Sequence, residues 1–108
     1  MCGIFGIIPK KQLDKSELKS LALFSRNRGK DSCGFFNYDK LNDKYIVRKF
    51  DKDIKDVISQ VLPKFENLVL GHSRLITNST FDNQPITIND IVCIHNGIIV
   101  KNLPYDFL

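Results

Sequence analysis

The sequence predicts a layered α+β fold, and three observations carry that expectation. Short runs rich in Ile, Val and Phe (CGIFGII, CGFFNY, KYIVRKF, NLVLGHS and IVCIH) have the length and composition of buried strands. Ile54, Val57, Ile58 and Val61 fall at i, i+3, i+4 and i+7, the spacing of one helix face. The elements then follow the order β-α-β-β-α-β-loop-β, which suits a sheet covered on both faces.

Each element has a local reason. CGIFGII reads as a short buried strand ending at Pro9. Asp14 followed by Glu17 three residues later is a variant of the capping box. Behind it Leu18, Leu21, Ala22 and Ser25 trace one narrow helix face. RNRGKDSCG is polar and punctuated by glycine, hence a loop. CGFFNY and KYIVRKF, separated by the turn-like KLND, predict a hairpin. The second helix stops before Pro63, because proline lacks the N–H that continues a helix. NLVLGHS is a further strand. RLITNSTFDNQP is a polar loop long enough to attract functional attention. IVCIH is expected as a buried strand, followed by the turn dipeptide Asn96-Gly97. KNLPYDFL shows little periodicity.

Composition narrows the function classes. The 108 residues amount to one domain, with 43% hydrophobic and 26% charged residues, an ordinary globular balance. No apolar run approaches the ~20 residues of a membrane helix. Lys10 and Lys11 follow the apolar IFGII rather than precede it, the wrong order for a secretory signal. Three cysteines without a CxxC pair argue against a disulfide framework and against a zinc site, so a cytoplasmic protein with free thiols is expected. The net charge of +4 comes from lysines interleaved with acids, as in KLNDKYIVRKFDKDIKD. That is the pattern of a solvated surface rather than of a nucleic-acid face.

Several polar residues stand at the ends of apolar strands: Cys2, His72, Arg74, His95 and Asn96. Taken singly, each has an ordinary structural explanation. The histidines read as hydrogen-bonded supports, Arg74 as a salt-bridge partner, Asn96-Gly97 as a hairpin turn, and Cys33 and Cys93 as small buried hydrophobes. Together they supply the parts of an acyl-transfer site. Loss of Met1 would leave Cys2 carrying both a thiol and, on the same Cα, an α-amino group that titrates near ~8 and can accept the thiol proton. Asn96 and the Gly97 N–H offer two donors for a developing oxyanion. Arg74 can hold a carboxylate with two parallel hydrogen bonds.

The blocks MCGIFGII, RGKDSCG, GHSRLIT, NQPI and HNGII, in that order, resemble the class II glutamine amidotransferases, whose glutaminase domains are N-terminal-nucleophile hydrolases. The likeness runs from Cys2 to about Asn102 and lies nearest the glucosamine-6-phosphate synthase side of that family. It implies part of a four-layer αββα sandwich with mostly antiparallel sheets. It implies glutamine hydrolysis to glutamate and ammonia through a Cys2 thioester, without metal or cofactor. L-glutamine would be the substrate, and a synthase domain or partner subunit of amino-sugar, nucleotide or asparagine biosynthesis would receive the ammonia. Neither nucleic acid nor membrane is an expected partner.

By the same likeness, Cys2, Asn96 and Gly97 would be catalytic. Arg74, Thr77 and Gly97 would bind the substrate, Arg28 and Gly29 would position the nucleophile, and His72 and His95 would give structural support. The sequence departs from the family at Leu75, where synthase-like members carry an aromatic residue, and at Asn78-Ser79, where they carry a His-Gly type ending. The family domain is also roughly twice as long, within the usual domain range. An aspartate that grips the substrate ammonium is expected beyond Leu108, and Asp106 is a poor substitute. The likeness therefore implies that the chain corresponds to the N-terminal half of such a domain. The alternative is a truncated, catalytically incompetent glutaminase-like module. A third reading is another N-terminal-nucleophile amidase, which lacks the GHSR and HNG blocks.

Overall fold

The computed structural model describes residues 3–75 and 83–96. In chain order these form β1 (Gly3–Ile7), α1 (Lys15–Ser25), β2 (Ser32–Asp39), β3 (Lys44–Phe50), α2 (Ile54–Val61), β4 (Val69–Arg74), β5 (Ile86–Ile88) and β6 (Ile91–Cys93). Short 3-10 turns follow each helix, at Arg26–Arg28 and Leu62–Lys64. The architecture is α+β: two helices, a four-stranded antiparallel sheet in the order β1-β4-β2-β3, and a separate β5–β6 hairpin.

Local chemistry accounts for the helices. The Asp14 carboxylate accepts from the Ser16 and Glu17 backbone N–H groups and caps α1. Asp53 caps α2 by accepting from the Lys55 N–H. The two helices press Leu18, Ala22, Ile54, Val57, Ile58 and Val61 against one face of the sheet, where Phe5, Cys33, Phe35 and Val69 meet them. Each of the Leu, Ile, Val and Phe side chains contributes about 1.5–3 kcal/mol when fully removed from water. Phe35 is the hub, with Phe5, Phe50 and Phe65 packed around its ring. Arg26 ties the end of α1 to the start of α2 through its Nε contact with Asp53, at 2.8 Å. Burial pushes the Asp53 carboxyl up, but the Lys55 N–H and Arg26 outweigh it and leave the group below its ordinary range.

The register sorts the sheet into two faces. Gly3, Ser73, Cys33 and Phe50 form one row on the helix side; Ile4, His72, Gly34 and Lys49 form the adjacent row on the other side. This opposite side is only partly covered. Gln84 and Pro85 lie over Gly34, while Tyr45 stacks on Phe36 and stays largely exposed.

The sequence expectations need four corrections here. β1 is an edge strand whose Ile4 is half exposed, because its outer side has no helix above it. IVCIH is not fully buried: Ile91 and Cys93 are exposed, since among the described residues β6 pairs only with β5 in a two-stranded ribbon. Ile86–Ile88, which lie between the expected loop and IVCIH, form an additional strand, β5, and the turn to β6 uses Asn89 at positive φ, a conformation asparagine tolerates. RNRGKDSCG is shorter as a loop than expected, with Arg26–Arg28 in a 3-10 turn and Ser32 already in β2.

Candidate functional site

The candidate residues gather at one end of the sheet. Gly3, which follows Cys2 in the sequence, pairs with Ser73, which precedes Arg74. Its Cα presses on the end of α1: a Cβ at Gly3 would come within 2.4 Å of the Ser25 carbonyl oxygen, a contact no side chain can make. Below this contact the Ser25 and Ser73 hydroxyls meet at 2.7 Å, both buried, and Ser25 also donates to the Ala22 carbonyl at 2.6 Å. The start of β1 is thereby held between α1 and β4.

The Arg28-Gly29 loop closes on the same strand end from the other direction. A Cβ on Gly29 would lie 2.2 Å from both the Arg74 carbonyl carbon and the Leu75 nitrogen, so only glycine permits the approach. Gly29 is in an extended conformation open to any residue, which makes contact rather than backbone strain the reason for glycine. The Asp31 N–H then donates to the Arg74 carbonyl at 3.0 Å, and Ser32 pairs with Arg74 in the β2–β4 ladder. Arg74 itself is half-buried.

Asn96 arrives from a different part of the chain. Asn83 is the anchor: its Nδ2 donates to the Cys33 carbonyl at 3.0 Å and to the Phe50 carbonyl at 3.1 Å. These are the carbonyls of a cross-strand pair in the β2–β3 ladder. The Asn83 Oδ1 accepts from the Gln84 N–H at 2.9 Å, and the Gln84 Oε1 accepts from the His95 N–H at 2.6 Å. Asn83 and Gln84 are both buried. This long-range hydrogen bonding was not foreseen from the sequence; NQPI, already among the resembling blocks, was the available signal.

A cleft of about 360 Å³ results, lined by Gly3, Ser25, Arg28 and Asn96 with Ile4 and Phe24 as apolar walls. Another cleft of similar volume, about 340 Å³, contains Gln12, Lys15 and Glu66 but none of the motif residues. Size alone does not separate the two; the chemistry of the lining does.

His72 lies beside Gly34 and Ile4 in the ladder and is fully buried. Among the described residues neither ring nitrogen has a partner at full bonding geometry, although the His95 backbone lies close enough to act on the ring. Burial, then the Arg74 charge, pushes its pKa down to about 4, against a smaller opposing effect of the His95 backbone. Its neutral form is therefore the resident one. On the same face the buried Ser32 hydroxyl also lacks a partner among the described residues. His95 and Asn96 are exposed. Cys33 is buried as expected, and burial followed by the nearby Asp53 charge pushes its thiol up to about 12. It is a packing residue rather than a nucleophile.

Of the sequence-predicted site residues, the structure brings Arg28 and Asn96 to one cleft and sets Gly29 against Arg74. Cys2, Thr77 and Gly97 lie outside the described residues, as does Asp106. Among the described residues there is no group of three or more His, Cys, Asp or Glu side chains able to hold a metal ion. No helix among them is long and apolar enough to cross a membrane. Comparison with protein-family models, with curated proteins and with solved structures finds no match to this chain.

Proposed function

We propose that the chain is a glutaminase domain of the class II amidotransferase type, in which Cys2, freed of Met1, attacks the side-chain amide of glutamine. The observation that carries this reading is the cleft shared by Gly3, Arg28 and Asn96. Three blocks distant in sequence supply a strand start next to a cysteine, a basic loop and an amide donor to one place.

The chemistry needs few parts. The Cys2 α-amine takes the thiol proton, and the thiolate adds to the amide carbon of glutamine. Asn96 and the Gly97 N–H stabilise the oxyanion, each such donor being worth about 3 kcal/mol in comparable sites. The amine returns the proton to the leaving nitrogen and ammonia departs, leaving a γ-glutamyl thioester. Water activated by the same amine releases glutamate. Arg74 binds the α-carboxylate, assisted by Thr77, while Arg28 and Gly29 hold the strand end from the opposite side. The ammonia passes to a synthase domain or partner subunit. The α+β layers described above are compatible with one part of an αββα sandwich.

A second reading, a glutaminase-like module that turns nothing over, is favoured by the exposed aromatic surface of Tyr45 on the sheet face opposite the helices. Glutamate release by the chain and its Cys2→Ala and Arg74→Ala variants separates the two. The enzyme reading expects wild-type turnover, no activity in Cys2→Ala and a raised KM in Arg74→Ala. A cooperatively folded wild-type chain without turnover supports the second reading and refutes the first.

A further inference from the structure

We infer that Gln84 is a positioning residue for the oxyanion donor Asn96, acting through the backbone of His95. This rests on the glutaminase reading and adds a residue to its machinery.

The geometry is a relay of hydrogen bonds from rigid to exposed structure. At its rigid end the Asn83 amide bridges the Cys33 and Phe50 carbonyls, which belong to the four-stranded sheet. The Asn83 Oδ1 fixes the Gln84 backbone, and the Gln84 side chain reaches the His95 N–H, one residue before Asn96. The approach of Gln84 to the sheet is equally constrained, since its carbonyl occupies the space above Gly34 that a Cβ would need.

Asn96 is exposed, and β6, which leads to it, ends at Cys93 and pairs, among the described residues, only with the three-residue β5. A two-stranded ribbon of this size is marginal by itself. Oxyanion stabilisation, in contrast, depends on donors held close to one geometry before reaction, and a displacement of about 1 Å can cost about a hundredfold in rate. The buried Gln84 acceptor connects the chain at His95 directly to an element anchored in the large sheet.

The role predicts a loss in kcat rather than in substrate affinity, because the carboxylate anchor, Arg74, is carried by β4. Steady-state glutamine hydrolysis is measured for the wild-type chain, Gln84→Met and Gln84→Glu, with thermal melts of each. Gln84→Met should lower kcat about ten- to a hundredfold while KM moves less than about threefold. Gln84→Glu keeps an acceptor at the same reach and should recover most of the rate. Should Gln84→Met fail to fold, Gln84→Asn, which keeps the amide but is one methylene too short, carries the same expectation.

A variant with wild-type kcat overturns the positioning role. So does a parallel loss in kcat and affinity that simply follows the melting temperature, or a failure of Gln84→Glu to recover. If the wild-type chain itself shows no turnover, the glutaminase reading falls and takes the role with it. Wild-type turnover with an indifferent Gln84→Met overturns the role alone.

Discussion

The carbonyl oxygen of Gln84 stands where the β-carbon of any residue at position 34 would be, 1.6 Å from its ideal position. Gly34 is thus the point at which the Asn83–Pro85 segment docks on the sheet. Gly34→Ala must push that segment away or deform β2, and overpacking of this kind costs about 1–3 kcal/mol. A melt of the variant should show that loss, and hydrogen exchange should show the His95 N–H deprotected while the β2–β4 amides remain slow. An unchanged His95 amide would contradict the docking.

Gly29→Ala tests the other close approach. The added methyl would meet the Arg74–Leu75 backbone, so the Arg28 loop must retreat from β4. A destabilisation of about 1–3 kcal/mol is expected, together with a raised KM for glutamine. A variant as stable and as active as the wild type would show that the loop is not held there.

His72 gives the fold an acid sensitivity with a definite sign. Its pKa lies near 4 when folded, against an ordinary value near 6.5. The unfolded chain therefore binds the extra proton first. Stability is complete above about pH 6.5 and falls as the pH drops towards 4, by about 3 kcal/mol in all from this group. His72→Phe should flatten that part of the profile of melting temperature against pH. If the variant keeps the wild-type slope between pH 6.5 and 4, the acid sensitivity belongs to another group.

The Ser25–Ser73 contact predicts an asymmetry. In Ser73→Ala the Ser25 hydroxyl still donates to the Ala22 carbonyl, so the cost should be about 0.5–1.5 kcal/mol. In Ser25→Ala the buried Ser73 hydroxyl loses its described partner and the cost should approach about 1–3 kcal/mol. Denaturant midpoints of the two variants check the order, and the reverse order would mean that Ser73 is satisfied elsewhere.

What the sequence made legible was local. The four-residue apolar spacing of α2, the Asp14 cap and the β2–β3 hairpin depend on neighbours within a few positions, and all three are present. The exposure of Ile4 and Cys93 was not legible, because an apolar run does not tell whether its strand ends inside a sheet or at an edge. The work of Asn83 was hidden for a related reason. Its partners Cys33 and Phe50 are 50 and 33 residues away, and only the folded ladder puts their carbonyls side by side. His72 shows the converse: a polar strand residue implied a hydrogen bond, but among the described residues its buried ring nitrogens have no partner at full bonding geometry. For the candidate site, the ordered blocks named Arg28, Gly29, Arg74 and Asn96, while the hydrogen bonds from Asn83 to the sheet and from His95 to Gln84 became visible only in the fold.

If Cys2 is the nucleophile of a glutamine site, a glutamine-like electrophile should label it. The chain is treated with a glutamine-like electrophile such as a γ-diazoketone analogue, and the adduct is mapped by peptide mass spectrometry with and without excess glutamine. Cys33 is buried with a raised pKa, and exposed Cys93 serves as the internal control for nonspecific reaction. The expected result is a chain lacking Met1, one adduct on Cys2, and protection by glutamine. A retained Met1, or modification of Cys93 alone that glutamine does not slow, would contradict it.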